Sequence, residues 1–346
     1  MTAALLAARL ERRVERRLAR LLWHRRGWRV RLLAFTSYGV GGGPPGTGWV
    51  RVIGRALLTD APGPEAEMVR GWRRFMTLPL DGVAVEIAVG GHRGTVRTGN
   101  GGYVDTTVRV DLSPGWHDML MSTHHGEPSR TTVRVVGPDE RVGVVSDIDD
   151  TVLVTALPRP LRAFWNTFAR HESTRRPVTG MPDLFRHLRG DGPEPFTAYV
   201  STGPWNLAPS LERFLARHDY PAGPLLMTDW GPTDDRWFRS GRQHKHDSLR
   251  RLLSNLPQLT WTLVGDDGQH DPALYDDLAA EYPDRVRLVL IRELTPTEQV
   301  LTHGTPTTRP GEGARDRRPP ADSRAVPVLR GPDGAALVRA LRGRRA

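Results

Sequence analysis

Residues 142–154 read VGVVSDIDDTVLV, and this is the most informative stretch of the chain. The apolar run Val142–Val145 ends at polar residues, which is typical of a buried β-strand. Open α/β sheets place their ligand sites at the carboxyl ends of such strands. Because side chains alternate along a strand, Asp147 and Asp149 point the same way. The stretch therefore predicts two convergent carboxylates at a strand tip.

Two convergent carboxylates can serve several purposes. One can attack an electrophile while the other moves protons. Together they can hold a hard cation such as Mg²⁺. An Asx-rich turn that closes a strand, or a structural Ca²⁺ loop, would use the same residue types. The stretch alone leaves these interpretations open.

The composition of the 346-residue chain narrows the class of protein. The chain has no cysteine, which excludes disulfides, thiolate zinc sites and a cysteine nucleophile. No apolar run approaches the roughly 18 residues of a membrane span, and the apolar run near the N-terminus is too short for a signal peptide. We therefore expect a soluble, cytoplasmic protein.

The net charge of +10 is concentrated at the two ends of the chain. Residues 1–31 carry +8 and residues 304–346 carry +6, which leaves the central part mildly acidic at −4. This distribution does not favour a specific nucleic-acid-binding core. It does allow the basic ends to make peripheral contact with an anionic membrane. Packing of the basic amphipathic helix at 1–27 on the next domain is the alternative.

Four segments follow from the patterning. The segment 1–27 is predicted as the basic amphipathic helix, and 28–140 contains short β-rich runs separated by turns, typical of an antiparallel β-sandwich-like domain. In 141–303 strands alternate with helices, which predicts an α/β domain with a parallel sheet. The segment 304–346 is rich in Arg, Pro and Gly and is predicted to be a disordered tail, with a transient helix at 335–341. The strands predicted for the α/β domain are Val142–Asp147, Thr197–Ser201, Thr260–Gly265 and Val286–Ile291.

Two further strand ends carry polar side chains suited to a phosphate site. Ser201 ends the second predicted strand, where a hydroxyl can donate to a phosphoryl oxygen or simply cap the next helix. The strand that ends at Gly265 is followed by Asp266, whose carboxylate could complete an oxygen-rich Mg²⁺ site. Asp271 precedes Pro272, so it can act as a helix N-cap as well as a site residue.

Lys245 is the only lysine among 49 basic residues, the rest being arginine. Lysine presents a compact point charge, whereas arginine presents a planar fork. A tight site that holds a phosphoryl group beside a carboxylate could require the compact charge. Chance survival of one lysine codon is the alternative. His244 and His246 flank it, and no third nitrogen ligand is evident that would make them a metal site.

The order of these signals resembles that of the haloacid-dehalogenase superfamily. More narrowly, four stretches resemble the catalytic domain of the actin-patch phosphatidate phosphatase family: SDIDDTV at 146–152, YVSTGPWNL at 199–207, HKHDSLRRLL at 244–253 and VGDDGQHDPALY at 264–275. The segment 164–184 resembles the family's connection between its first two motifs. The resemblance covers about 142–293, and the β-rich region before it is similar to the family's usual partner domain. It implies an α/β fold with a Rossmann-like haloacid-dehalogenase parallel sheet.

The resemblance also implies a role for each site residue. Asp147 would be the nucleophile that forms an aspartyl-phosphate, and Asp149 the general acid and base. Ser201 and Lys245 would contact the phosphoryl group, with Lys245 also neutralising Asp147. The metal ligands of a Mg²⁺ ion would be Asp147, Asp149 through its backbone carbonyl, Asp266 and, in a supporting position, Asp271.

The sequence departs from the family pattern at two positions. Gly203 stands where a second serine is usual, which puts one phosphate contact in doubt. Asp267 also stands where serine is usual and could add charge near the metal. The leading hypothesis is a Mg²⁺-dependent phosphomonoesterase with phosphatidate as the implied substrate. A phosphatase of a soluble ester or phosphoprotein, and a binding or scaffold protein, are the alternatives.

Overall fold

The computed structural model describes residues 28–59, 78–124, 126–154, 175–190, 192–228, 234–268, 271–296, 298 and 326–345. The predicted basic helix at 1–27 lies outside these residues. Two compact units divide near residue 140. Among the described residues, no helix combines the length and the apolar character that spanning a membrane would require.

The first unit is a mixed β-sheet in the order β3-β2-β1-β9-β7-β4-β5, with β6 paired to β2 and β8 to β1. Most pairings are antiparallel, but β1 runs parallel to both β8 and β9. The strands are β1 Arg29–Val40, β2 Trp49–Thr59, β3 Leu78–Pro79, β4 Ala84–Val89, β5 His92–Arg97, β6 Tyr103–Arg109, β7 Gly115–Ser122, β8 Gly126–Glu127 and β9 Ser129–Val136.

The core of this unit joins strands from distant positions in the sheet. Val52 of β2, Ile87 of β4 and Met121 of β7 belong to one buried cluster. The sheet therefore curls so that one face closes on itself. The predicted antiparallel sandwich is corrected here to a single hydrogen-bonded, mixed sheet. The parallel pairings escaped prediction because alternation along a strand does not specify the direction of its neighbour.

The second unit contains a six-stranded parallel sheet in the order β12-β11-β10-β13-β14-β15. Its strands are β10 Val142–Asp147, β11 Phe196–Pro204, β12 Leu225–Thr228, β13 Thr260–Asp266, β14 Val286–Arg292 and β15 Val328–Gly331. The helices are α1 Met181–Arg189, α2 Ala208–Arg217, α3 Asp234–Asn255, α4 Asp271–Glu281 and α5 Gly334–Arg345. The predicted α/β class and parallel sheet are confirmed.

The central strands are apolar because they are covered on both faces, as parallel strands usually are. All but the first residue of β10 are buried, and all nine residues of β11 except Thr202 are buried. The chain lays β11 and β12 on one side of β10, then β13 to β15 on the other. The strand order thus reverses next to β10, and in open α/β sheets ligands bind at the carboxyl ends of the strands at such a point.

The predicted disordered tail 304–346 is corrected for residues 326–345. Strand β15 adds to the edge of the sheet beside β14, and α5 buries Leu337 and Leu341. The Asp333 carboxylate accepts a hydrogen bond from the Ala336 N–H at 2.7 Å, which caps the helix. A tail with few apolar residues can be ordered because a preformed sheet edge and apolar surface supply its partners.

Candidate active site

Three neighbouring strands bring polar side chains together near their carboxyl ends, although β11 continues three residues beyond the predicted end at Ser201. Asp147 is the last residue of β10 and Asp266 the last of β13, while Ser201 lies in β11. In the register of the sheet, Asp147 is paired with Val200, so Ser201 is one residue further along its strand. All three side chains are buried. The sequence predicted each of these residues at a strand end.

Lys245 joins two of the predicted carboxylates. Its Nζ atom lies 2.7 Å from Oδ1 of Asp147 and 2.7 Å from Oδ1 of Asp271. Lys245 lies in α3, and Asp271 is the first residue of α4. A lysine with only 5% of its surface exposed must be paired to remain charged. The single lysine of the chain therefore lies in the carboxylate cluster.

A tight turn after β10 holds Asp149 beside Ser201. Within this turn the Val152 N–H donates to the Ile148 carbonyl at 3.0 Å, and the Asp150 N–H donates to the Leu153 carbonyl at 2.9 Å. The Ser201 hydroxyl donates to Oδ2 of Asp149 at 3.2 Å. Ser201 Oγ also accepts the Gly203 N–H at 2.9 Å, which orients the hydroxyl. Gly203 thus contributes to the site through its backbone N–H, although it lacks the hydroxyl of the serine that is usual at this position.

Asp266 is held in place by two donors. Its Oδ1 accepts the Gly268 N–H at 2.7 Å, and its Oδ2 accepts the Thr151 hydroxyl at 3.3 Å. Thr151 links the turn after β10 to the end of β13. The sequence pattern predicts no role for Thr151, although this residue belongs to the stretch SDIDDTV.

Asp267 makes a backbone contact on the neighbouring segment. Its Oδ1 accepts the Leu294 N–H at 2.7 Å, and its own N–H donates to the Arg292 carbonyl at 2.9 Å. The sequence suggested that this carboxylate adds charge near a metal. The contact also holds the chain after β14 against the end of β13.

Burial dominates the electrostatics of the cluster. It raises the pKa of Asp147 and of Asp266 well above the usual range, against the opposing effect of Lys245. Burial, followed by the charge of Asp150, raises the pKa of Asp149 to about 7. Burial alone would lower the pKa of Lys245, but Asp147 and Asp271 outweigh it and raise that pKa. The described cluster thus carries more carboxylate than its one lysine neutralises.

The donor set fits a hard cation. Asp147, Asp266 and Asp271 are buried, and each offers one oxygen atom that lies within 4.8 Å of the others. Within the described part of the chain, Oδ2 of Asp147 and Oδ2 of Asp271 receive no hydrogen bond. Buried anionic oxygens without donors are costly unless a cation offsets them. Carboxylate oxygens are the ligands that Mg²⁺ and Ca²⁺ prefer.

All six predicted site residues lie in this region, but they do not all have the same environment. The side chain of Asp149 is outside the possible metal triad and bonds to Ser201 instead. The flanking histidines are also outside the triad, with His244 contacting Ser248 and His246 near Asp247. Among the described residues, the site is therefore built from oxygen ligands and one ammonium group.

A parallel sheet with buried carboxylates and a lysine at its carboxyl edge fits the class of phosphoryl-transfer catalytic domains. Residues 142–293 match the family model described as the catalytic domain of the phosphatidate phosphatase APP1. This match confirms the resemblance of the sequence motifs to the actin-patch phosphatidate phosphatase catalytic domain.

Two curated relatives match the same part of the chain. The phosphatidate phosphatase APP1 of Saccharomyces cerevisiae is 26% identical over 152 residues, which are 44% of this chain and 26% of that protein. An uncharacterised protein of Schizosaccharomyces pombe is 25% identical over 154 residues, 44% of this chain and 25% of its own length. The matched region thus spans about a quarter of the length of these relatives.

Solved structures align only weakly. A carbohydrate acetylesterase from Xanthomonas citri covers 79% of this chain and 73% of its own, with 9% identity and a TM-score of 0.29. Such a score is too low to indicate a shared fold.

Proposed function

We propose that residues 142–293 form a Mg²⁺-dependent phosphomonoesterase of the haloacid-dehalogenase type, with a Rossmann-like sheet, that acts on phosphatidate. The observation that carries the proposal is the position of Lys245, whose Nζ atom is 2.7 Å from Asp147 and 2.7 Å from Asp271 in a buried carboxylate cluster. The match to a phosphatidate phosphatase catalytic domain supports the reaction class and the substrate.

In the proposed first step, an oxygen of Asp147 attacks the phosphorus of the ester. The new bond is a carboxylate O–P bond, and the bond that breaks joins phosphorus to the alcohol oxygen. Asp149 donates a proton to the departing alcohol. Its raised pKa of about 7 allows a useful fraction to be protonated near neutral pH. The product of this step is an aspartyl-phosphate.

In the proposed second step, Asp149 accepts a proton from a water molecule that attacks phosphorus. The bond between phosphorus and Asp147 breaks, which releases inorganic phosphate and restores both side chains to their starting states. The same carboxyl group thus serves as acid and then as base. Its hydrogen bond from Ser201 keeps Asp149 in place between the two steps.

Lys245 offsets negative charge in the proposed reaction, and Ser201 positions the phosphoryl group. Lys245 offsets the charge of Asp147 and of the transferring phosphoryl group, which would otherwise repel each other. Ser201 is free to turn its hydroxyl toward a phosphoryl oxygen once Asp149 is protonated. A Mg²⁺ ion held by Asp147, Asp266, the carbonyl of Asp149 and, in support, Asp271 would supply further electrostatic stabilisation.

The remaining segments keep their proposed roles. We propose 28–140 as a separate β-rich domain and 141–303 as the phosphatase domain, to whose sheet β15 of 326–345 is added, followed by α5. We propose the basic ends of the chain as points of peripheral contact with anionic membranes. Phosphatidate is itself an anionic lipid, so a basic segment would favour its surface.

The test is phosphate release by the full-length protein with Mg²⁺. The panel contains phosphatidate in mixed micelles, lysophosphatidate, sugar phosphates, nucleotides and phosphopeptides. Asp147→Asn removes the proposed nucleophile, and Asp277→Asn removes an exposed carboxylate of α4 as a matched control.

The outcomes separate the candidates. The proposal is supported if phosphate is released from phosphatidate, if Asp147→Asn and a chelator each abolish this release, and if Asp277→Asn retains it. Release from soluble esters alone keeps the mechanism and contradicts the lipid substrate. Full activity of Asp147→Asn contradicts the mechanism, and no release from any substrate favours a binding or scaffold role.

A further inference from the structure

Arg292 is a buried charged residue that the proposed chemistry does not use. It is the last residue of β14, in register with Asp266 of β13. Only 6% of its side chain is exposed. Burying a guanidinium group costs free energy, and this cost is offset only where its N–H donors are hydrogen-bonded. Its contacts therefore indicate what it is there to hold.

The guanidinium group contacts three separate segments. Its Nη1 donates to the backbone carbonyl of Asp150 at 2.7 Å. Its Nη2 donates to Oε1 of Glu298 at 2.5 Å, and its Nε donates to the carbonyl of Pro332 at 3.3 Å. The planar fork of arginine suits this task because its donors point in fixed, divergent directions.

The first of these contacts fixes the turn that carries Asp149. Asp150 follows Asp149 and has a positive φ of 55°, a left-handed conformation that is strained for a residue with a Cβ. Its N–H is bonded to the Leu153 carbonyl, and its carbonyl is bonded to Arg292. Both peptide groups of Asp150 are therefore held, which keeps the strained turn in one shape.

The third contact ties this turn to the C-terminal segment. Pro332 lies between β15 and α5, beyond the region 142–293 that matches the family model. In the same segment the Gly334 N–H donates to the Thr179 carbonyl at 3.0 Å. The position of the guanidinium group thus depends in part on residues outside the matched catalytic region.

We infer that Arg292 is a positioning residue, which holds the turn containing Asp149 and Asp150 and anchors it to the C-terminal segment. This inference rests on the proposed function for its effect on turnover, but not for its effect on the shape of the turn. The three hydrogen bonds of the Arg292 guanidinium group reach neither the carboxylate oxygens of Asp147, Asp266 and Asp271 nor Lys245. It acts through the backbone of Asp150.

The test compares Arg292→Met and Arg292→Lys with Arg287→Met in the full-length protein. Arg287 lies on the same strand, is exposed and donates to Thr262 Oγ1 at 3.1 Å, so it controls for loss of an arginine from β14. Three readouts are measured: hydrogen exchange of the amides of 148–154, Mg²⁺ binding by calorimetry, and kcat and KM for whichever ester the wild-type protein hydrolyses.

Arg292→Met is expected to speed amide exchange in 148–154 by about tenfold or more, because the carbonyl of Asp150 loses its donor and the strained residue is no longer held on that side. Mg²⁺ binding should weaken by about tenfold, as it does when partners that orient ligands are lost. The kcat value should fall by about 10²-fold, with KM changed far less. Arg292→Lys should give intermediate values, and Arg287→Met should match wild type in all three readouts.

Wild-type exchange in 148–154 for Arg292→Met would overturn the inference, whether or not the protein is a phosphatase. If Arg292→Met does not fold, the Arg292→Lys variant provides the test. Wild-type amide exchange and a wild-type kcat in Arg292→Lys would also contradict the inference. Absence of phosphatase activity in the wild type would contradict the proposed function alone. The exchange and calorimetry results would still test the positioning role.

Discussion

Lys245 and Asp147 form a buried ion pair in which Nζ lies 2.7 Å from Oδ1, with 6% and 0% of the side chains exposed. The pair joins the middle of α3 to the carboxyl end of β10. Its lysine also reaches Asp271, so a single cation neutralises parts of two carboxylates. The charge state of this lysine is accordingly the first property to measure.

The ammonium group of Lys245 should remain protonated above its usual pKa of 10.5. Burial would lower this pKa, but Asp147 and Asp271 raise it by a larger amount. Because the chain has one lysine, protein labelled with ¹³C-lysine gives a single side-chain signal set to titrate by NMR. A midpoint below 10.5 would contradict the ion pairs. Asp271→Asn should lower the midpoint relative to wild type, since one of the two partners becomes neutral.

The metal-free protein should lose stability through Asp149 as the pH rises. The pKa of Asp149 is raised from 3.8 to about 7, mainly by burial. Between these values the folded protein retains a proton that the unfolded chain has released, so the free energy of unfolding decreases with pH. One such proton gives a slope of at most about 1.4 kcal/mol per pH unit.

Asp149→Asn isolates this contribution because it cannot titrate. Urea unfolding of chelator-treated protein across this pH range should show wild type losing stability relative to the variant, with the difference levelling off above the folded-state pKa. A pH-independent difference between the two proteins would be inconsistent with a raised pKa at Asp149.

Mg²⁺ should stabilise the protein at neutral pH through the carboxylate triad. Binding to the folded state alone adds about 2.7 kcal/mol when the free ion is at 100 times its dissociation constant. Asp266→Asn should reduce the rise in melting temperature, while its Oδ1 can still accept the Gly268 N–H. Asp277→Asn, on the exposed side of α4, should respond like wild type. An equal rise for Asp266→Asn would place the ion elsewhere.

Asp267 should matter for stability more than for metal binding. Asp267→Asn keeps an oxygen that can accept the Leu294 N–H, so stability and Mg²⁺ affinity should both remain near wild type. Asp267→Ala leaves that amide without its acceptor and should cost about 1–3 kcal/mol in the free energy of unfolding. Calorimetry and denaturant unfolding check the pair. A large change in Mg²⁺ affinity in Asp267→Asn would restore the interpretation that this charge acts on the metal.

The C-terminal helix should contribute to the stability of the α/β unit. Leu337 is fully buried in α5, so Leu337→Ala should lower the free energy of unfolding by about 2–5 kcal/mol. Arg339→Ala, at an exposed position of the same helix, should change it by less than about 0.5 kcal/mol. Denaturant unfolding measures both. Equal, small effects would mean that the segment behaves as the disordered tail predicted from composition.

Much of the α/β unit could be predicted from local sequence. The apolar run at 142–145, followed by paired aspartates, predicted β10 with its observed bounds. The strands at 260–266 and 286–292 were predicted to within one residue at each end. Such predictions succeed because a strand that is covered on both faces must be apolar along its length, and a run of consecutive apolar residues can be recognised in the sequence.

Local sequence also predicted which side chains come together. Asp147, Ser201 and Asp266 each end or follow a predicted strand, and the carboxyl ends of parallel strands share one edge. Lys245 was identified only because it is the single lysine of the chain, and this observation does not predict where its side chain lies.

The partners of these residues are set by contacts between distant parts of the folded chain. The bond between Lys245 and Asp271, and the linking of Asp150 to Pro332 through Arg292, join residues far apart in the chain. The ordering of 326–345 was also decided by a sheet edge built from earlier residues. Such contacts have no local signature, since their free energy arises only once folding has buried the charges and brought the segments together.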